Sequence, residues 1–389
     1  MALHILVMTD RDWTHPQGGG TGTNLYGQIA RWVAWGHRVS VIACSYRGAT
    51  SHERFGENLE VHRLGGRSTV FPRAILAQWR GLVPDPDVVL EVVNGITFLT
   101  PVWLRKPRVT LVHHVHRQHY VEEMGRKGKL AAWLLETLPL RHLYRSSRFL
   151  TISHATAADI AWHGIPLEHI DVGYIGVESE AFGPGERAER PELLYLGRLK
   201  RYKRIEVVLD ALEAVPEAML HVAGDGDHRE ELEREIAERG LADRVVMHGF
   251  VSEEEKRRLL QRAWANLTAS SAEGWALSVM EAAACGTPSV ALGVGGLNES
   301  VADGETGLLA ATSEEMAQRT AEVVRDAELR ERLGRAALQR AREFTWDRTA
   351  RETLAILEAE IVRSRGLVLP EAVAPTSEPA PAQRSTSTS

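Results

Sequence analysis

Cysteine is nearly absent: Cys44 and Cys285 are the two in 389 residues. Each stands in an apolar stretch, which excludes a disulfide framework and reads as a reduced core thiol. Long hydrophobic runs are missing as well, and nothing approaches the roughly 20 apolar residues of a membrane-crossing helix. The opening residues Met1 to Met8 lack a basic stretch and meet Asp10, Arg11 and Asp12 too soon for a secretory signal, so a cytoplasmic protein is expected. Net charge is modest at −6, and no nucleic-acid partner is expected. The charge is unevenly placed: residues 1–180 hold 19 Lys/Arg against 16 Asp/Glu, while the remainder holds 27 against 36. The N-terminal half is therefore the one suited to anions or a membrane surface.

What is present is enough apolar material, 44% of the chain, for two cores of ordinary size. Short β-like runs alternate with helical ones from the start, at His4 to Thr9, Arg38 to Ala43, Leu59 to Leu64, Val88 to Val93, Val109 to Val112 and Phe149 to Ile152. The rhythm restarts after Gly183-Pro184-Gly185, with runs at Leu193 to Leu196, Leu220 to Ala223, Val245 to His248, Ala265 to Thr268 and Ser289 to Leu292. Such alternation predicts an α/β fold of two doubly wound, Rossmann-like domains facing a cleft at their strand C-terminal ends. The expected division is residues 1–180, residues 181–345, a further helix at 346–365, and a disordered Pro/Ala/Ser/Thr-rich tail at 366–389.

The densest chemical information lies in Ser270 to Pro288. Leu277 to Cys285 reads as a helix stopped by Gly286 and Pro288, with Glu273 on the loop before it and Glu281 about one turn inside. The backbone N–H groups around Trp275, Ala276, Leu277 and Ser278 would face an anion at the helix start. A diphosphate there, a ribose on Glu281 and a hexose on Glu273 form one consistent ligand. Two glutamates alone would more commonly be surface charge. The apolar run Ala282-Ala283-Ala284-Cys285 beside Glu281 instead predicts a tightly packed helix.

Cations follow a second strand. In Gly197-Arg198-Leu199-Lys200-Arg201-Tyr202-Lys203-Arg204, Arg198 and Lys203 are placed to hold phosphate, while Lys200, Arg201 and Arg204 read as a solvated basic turn. Gly18-Gly19-Gly20-Thr21-Gly22 opens the first helix, where Gly19 and Gly20 would let backbone approach a phosphate or sugar. Beyond the strand at Val109 stand His113, His114, His116 and His119; no carboxylate or thiol at metal-site spacing accompanies them, so substrate hydrogen bonding is favoured over zinc. Gly224 is assigned a close approach, Asp225 and Asp227 structural roles with Asp227 a helix N-cap, and Met247 to Val251 core side chains with a backbone that reads a base edge near Val251. Asn94, His114 and His116 are candidate acceptor or sugar contacts.

Taken together, the glycine loop, the histidine after a strand, Gly197-Arg198-Leu199 with Lys203, Gly224-Asp225-Gly226, and Glu273 with Glu281 resemble the family 4 retaining glycosyltransferases of the GT-B fold. The resemblance covers about residues 3 to 362. It implies a nucleotide-sugar donor, UDP- or GDP-hexose, bound mainly by the C-terminal domain, a hydroxyl acceptor bound mainly by the N-terminal one, no metal, no other cofactor, and a last helix crossing back to the first domain. Residue by residue, it puts Glu273 on the hexose, Glu281 on the ribose, Arg198 and Lys203 on the diphosphate, and His113 or its neighbour His114 on the donor sugar. Two departures stand out: Ala276 and Arg204 occupy places where the family commonly has glycine, harmless at Ala276 if its φ is negative. A 2-epimerase or phosphorylase on the same architecture, or a silent sugar-nucleotide sensor, remain alternatives. Arg126-Lys127-Gly128-Lys129, the apolar Leu130 to Leu135, and Arg141, Arg145 and Arg148 suit a peripheral seat on anionic lipid at the inner membrane face, or equally a helix pair with a basic exposed face.

Overall fold

The computed structural model describes residues 2–116, 125 and 127–366; His119, Arg126 and the tail from Pro370 lie outside the described residues. It has two parallel-sheet domains. The first sheet has the order β3-β4-β2-β1-β5-β6-β7-β8, from β1 (His4–Met8), β2 (Arg38–Ala43), β3 (His52–Arg54), β4 (Leu59–Arg63), β5 (Val88–Val93), β6 (Arg108–Val112), β7 (Arg148–Thr151) and β8 (Ile170–Val172). Only β3 runs antiparallel among these pairings. The second sheet has the order β11-β10-β9-β12-β13-β14, from β9 (Glu192–Leu196), β10 (Met219–Ala223), β11 (Val245–Gly249), β12 (Ala265–Thr268), β13 (Ser289–Leu292) and β14 (Gly307–Ala310).

Period-two alternation explains why these strands are apolar on both faces. In β1, Ile5 and Val7 join Leu25, Ile29 and Trp32 of the helix Gly19–Ala34, whereas Leu6 and Met8 pack with Val70, Ala74 and Ala77 of the helix Val70–Trp79. In the second sheet Leu193, Tyr195, Leu220 and Val222 meet Ile205, Val208 and Leu212. Strand order reverses beside β1 in one sheet and beside β9 in the other, and a crevice opens outside the strand C-terminal ends at such a switch point. Asp10 and Asn94 follow β1 and β5; Gly197-Arg198 and Ser270 to Glu273 follow β9 and β12.

The last helix, Trp346–Ser364, lies against the first domain: Trp32 Nε1 donates to Ala350 O at 2.9 Å, and a Cβ on Gly27 would meet the Trp346 ring at 2.4 Å. The glycine run is itself helical from Gly19, so the first helix includes the glycines expected only to open it. Of the edge strands β11 was anticipated and the other three were not: β3 is the polar triplet His-Glu-Arg, and β8 and β14 have three and four residues. Among the described residues, no helix is long and apolar enough to cross a membrane.

Candidate functional site

Two buried ion pairs form the C-terminal wall of the cleft. Lys203 ends a short 3-10 turn, Arg201–Lys203, after β9, and its Nζ donates to Glu273 Oε1, with both side chains only 15% exposed. Ser270 Oγ also donates to that oxygen at 2.9 Å. Desolvation works to lower the Lys203 pKa, but the Glu273 charge and hydrogen bond outweigh it, so the ammonium titrates above its ordinary value. The second pair joins Lys256, on the helix Glu253–Arg262, to Glu281 Oε1 at 2.7 Å. Burial pushes the Glu281 carboxyl up, and Lys256 opposes the shift.

Between the pairs runs the helix Leu277–Ala284, which has no side-chain N-cap. Its cap position is Ala276 at φ 65° and ψ 81°. The negative φ that would have made alanine harmless here is therefore absent, and the left-handed backbone costs an L-residue roughly 1–2 kcal/mol. Arg204, the other departure from glycine, is left-handed too, at φ 49°. Trp275, 1% exposed, fixes the loop by packing on Tyr174 and Phe344 at centroid distances of 4.5 and 5.2 Å. Leu277 and Ser278 are half-buried in the first turn.

The N-terminal wall is uncharged where it meets this loop. His113, at the end of β6, is 4% exposed, and its Nε2 accepts from Asn24 Nδ2 at 2.8 Å; Asn24 Oδ1 in turn accepts from Gln28 Nε2 at 2.9 Å. Desolvation lowers the His113 pKa to about 4, with Asp10 acting weakly the other way. The ring is neutral at physiological pH, with its proton on Nδ1, a buried atom that has no hydrogen-bond partner among the described residues. The walls touch: a Cβ on Gly274 would stand 2.2 Å from His113 O, so only glycine lets the Glu273 loop reach the histidine. Gly19, at φ 55°, lies across from Arg198, whose Nε would be 3.9 Å from a Cβ built there; Gly20 has open space beside it. Arg198 itself is exposed and donates to Tyr202 OH at 3.4 Å.

Other sequence candidates are placed differently. His114 and His116 are half-buried with ring centroids 4.0 Å apart, and the His116 backbone N–H donates to Glu136 Oε1 at 2.8 Å. Asn94 Nδ2 donates to Asp10 Oδ1 at 2.7 Å, which ties it to the β1 turn. The close approach at Gly224 is to protein: a Cβ there would stand 1.8 Å from Gly197 O. Asp227 is not an N-cap. His228 occupies that position of the helix Arg229–Glu238, and Asp227 instead accepts from Lys200 at 2.6 Å. Lys200, Arg201 and Arg204 face surface carboxylates Asp227, Glu231 and Glu206, as a solvated turn would. Val251 is half-buried, but Phe250 beside it is 88% exposed, so this segment is not all core.

Sequence reasoning missed Lys256 and Asn24. Lys256 lies in a charged helix and pairs across 25 residues, which leaves no local pattern. Asn24 and Gln28, spaced i,i+4 on the apolar face of Leu25, Ile29 and Trp32, were a legible sign of a buried polar pair.

Comparison with known proteins gives a consistent picture. A model of glycosyl transferases group 1 matches residues 177–340, and a glycosyl transferase 4-like domain model matches residues 19–176. The D-inositol 3-phosphate glycosyltransferase of Arthrobacter sp. (strain FB24) is 32% identical over 280 residues, 65% of this chain and 66% of that protein. The protein of that name from Mycobacteroides abscessus is 30% identical over 276 residues, 64% of this chain and 60% of the relative. The chain thus spans just under two thirds of the length of these relatives. Sucrose-phosphate synthase from Thermosynechococcus elongatus superposes with a TM-score of 0.79 at 19% identity, covering 92% of this chain and 99% of that one. Anabaena HepE in complex with UDP and glucose does so at 0.72 and 18%, covering 92% and 100%.

Proposed function

From a chain that belongs to the group 1 glycosyl transferases, with the GT-B fold, we propose a retaining, metal-independent hexosyltransferase that moves a hexose from a nucleoside-diphosphate donor to a hydroxyl acceptor. The observation that carries this reading is the paired arrangement Lys203–Glu273 and Lys256–Glu281 on either side of an uncapped helix start. Each pair keeps a carboxylate and an ammonium in a desolvated cleft that would reject either charge alone.

Donor binding divides the work between the members of each pair. Glu281 Oε1 is held by Lys256, and its second oxygen accepts from the ribose hydroxyls. Glu273 accepts from hexose hydroxyls, and Lys203 with Arg198 and the Leu277–Ser278 N–H groups takes the diphosphate. As the anomeric C–O bond lengthens, the sugar gains oxocarbenium character and negative charge grows on the β-phosphate, where these cations and the helix start stabilise it. His113, with its pKa about 4, is a poor proton acceptor at neutral pH, and its role is a hydrogen bond from Nδ1 to the donor sugar. No carboxylate is assigned as nucleophile, so the acceptor attacks from the leaving-group face and the departing phosphate takes its proton. UDP-hexose is the first donor to try, since the HepE complexes contain UDP and UDP-glucose; the inositol phosphates suggested by the relatives' names belong in the acceptor screen.

The decisive experiment screens UDP-, GDP- and ADP-hexoses by thermal shift and turnover, in EDTA, with Glu273→Ala beside the wild type. One donor that binds and turns over in EDTA, lost in the variant, is expected, with an α-configured product from an α-donor. A trapped glycosyl-enzyme would overturn the front-face route, and binding of a donor without any turnover would favour the sensor alternative.

A peripheral membrane seat is supported by one surface. Residues 127–132, the π-helix Trp133–Thr137 and the helix Leu138–Leu143 are continuous, with Leu130, Trp133 and Leu134 47–59% exposed beside exposed Lys127, Lys129, Arg141 and Arg145. Flotation with anionic vesicles, reduced by Trp133→Ser, is expected; flotation equal with neutral vesicles would argue against it.

A further inference from the structure

We propose that His52, Glu60 and His62 bind a divalent transition-metal ion of the zinc type, which clamps the antiparallel edge strand β3 onto β4, well away from the donor cleft. β3 pairs with β4 so that His52 stands opposite His62 and Arg54 opposite Glu60. With a period of two, His52, Glu60 and His62 all share one face of the sheet. Glu60 Oε2 is 3.2 Å from His52 Nε2 and 3.8 Å from His62 Nε2, and the three donor atoms all lie within 4.8 Å of one another. A tetrahedral zinc with ligands at about 2.0–2.2 Å holds neighbouring donors roughly 3.3 Å apart. Small rotamer adjustments therefore close the set on an ion.

Three further observations point the same way. Among the described residues His62 Nε2 is buried without a hydrogen-bond partner, which is costly for an imidazole nitrogen unless something occupies it. The carboxylate is divided: Oε1 accepts from Ser40 Oγ at 2.9 Å and Arg38 at 3.1 Å, Ser40 Oγ is bonded to His4 Nε2 at 2.8 Å, and Oε2 is turned to the imidazoles. An outer hydrogen-bonded layer that orients a ligating carboxylate is what metal sites require. The His62 side chain is only 12% exposed, so an ion held there is shielded from solvent on one side. His52 is 43% exposed and gives the ion a route in and a water in the fourth position. Arg54 Nε stands 3.7 Å from Oε2, but with its side chain 70% exposed it can swing into solvent as the ion enters.

The strand order places β3 three positions from β1, roughly 14 Å from the switch point of the first sheet. The site is thus structural, and a metal-independent transferase can carry it. A three-residue edge strand has little of its own to hold it, and the ion cross-links it to its neighbour.

The test uses the full chain, stripped with a chelator and titrated with Zn²⁺, and with Co²⁺ as a spectroscopic probe. Expected are one Zn²⁺ per chain, a rise in thermal midpoint, and the intense visible bands of tetrahedral Co²⁺. His52→Ala, an exposed position that leaves the fold intact, weakens Zn²⁺ binding at least tenfold and removes those bands; His62→Ala does the same, scored against its own metal-free midpoint. A His114→Ala/His116→Ala double variant binds as the wild type does. Absence of Zn²⁺ binding by the wild type, binding undiminished in His52→Ala, or loss in the His114/His116 double variant would each overturn the proposal.

Discussion

The two walls of the cleft treat charge in opposite ways. On the C-terminal wall, Lys203 with Glu273 and Lys256 with Glu281 are desolvated ions that tolerate burial because each has a partner. On the N-terminal wall, His113 is buried and stays neutral, held by the amide of Asn24. In the proposed function the two walls serve the two ends of one donor. Fixed cations suit a diphosphate that gains charge in the transition state, whereas a neutral donor suits a sugar that is becoming positive and would be repelled by an imidazolium.

The comparison breaks most readily at Lys203. Lys203→Ala strands a largely desolvated Glu273 and removes the cation proposed to hold the phosphate, and kcat/KM is expected to fall about 10²–10³-fold, roughly 3–4 kcal/mol. A loss under tenfold in steady-state kinetics would show that the pair is structural. The neutral wall is probed by pH. The folded His113 pKa of about 4 lies below its ordinary 6.5, so the unfolded chain takes up the proton first. Stability from this group is complete above pH 6.5 and is lost as the pH falls toward 4. Between pH 7 and 5 that amounts to about 2 kcal/mol. Urea midpoints for His113→Asn should fall less steeply than those of the wild type over this interval.

Lys256 should matter less, because in the proposed donor pose it orients Glu281 and does not face the transferred sugar. Lys256→Ala is expected to raise the donor KM about tenfold, some 1.4 kcal/mol, with kcat nearly unchanged. An equal fall in kcat would move Lys256 into the phosphate cluster. The smallest expected effect is favourable: Ala276→Gly relieves a left-handed φ of 65° and should raise stability by at most about 1 kcal/mol, since glycine's greater unfolded entropy offsets part of the relief. A lower denaturation midpoint in the variant would mean that the alanine methyl, 9% exposed beside Val279 and Leu297, contributes more by packing than its backbone costs.

Much of the fold was legible because burial on both sheet faces writes continuous apolar strands such as Val88 to Val93 and Leu193 to Leu196 into the chain. The edge strand β3 was not, since His52–Arg54 has solvent on one side and polar residues throughout. The helix from Leu277, with Glu273 before it and Glu281 within it, could be read locally, because a loop, a helix start and an apolar run are features of neighbouring residues. The Lys256 partner of Glu281 could not, nor could the φ of Ala276, because both depend on how distant segments meet.

By itself the sequence determined the βα rhythm, the restart at Gly183 to Gly185 and the residue types at the strand C-terminal ends, since periodicity, turn chemistry and helix stop signals act over a few residues. Only the tertiary structure decided that Gly274 admits the His113 carbonyl, that His113 is neutral, and that His52, Glu60 and His62 converge. Those outcomes depend on burial and on contacts between residues far apart in the chain, and a local pattern carries neither.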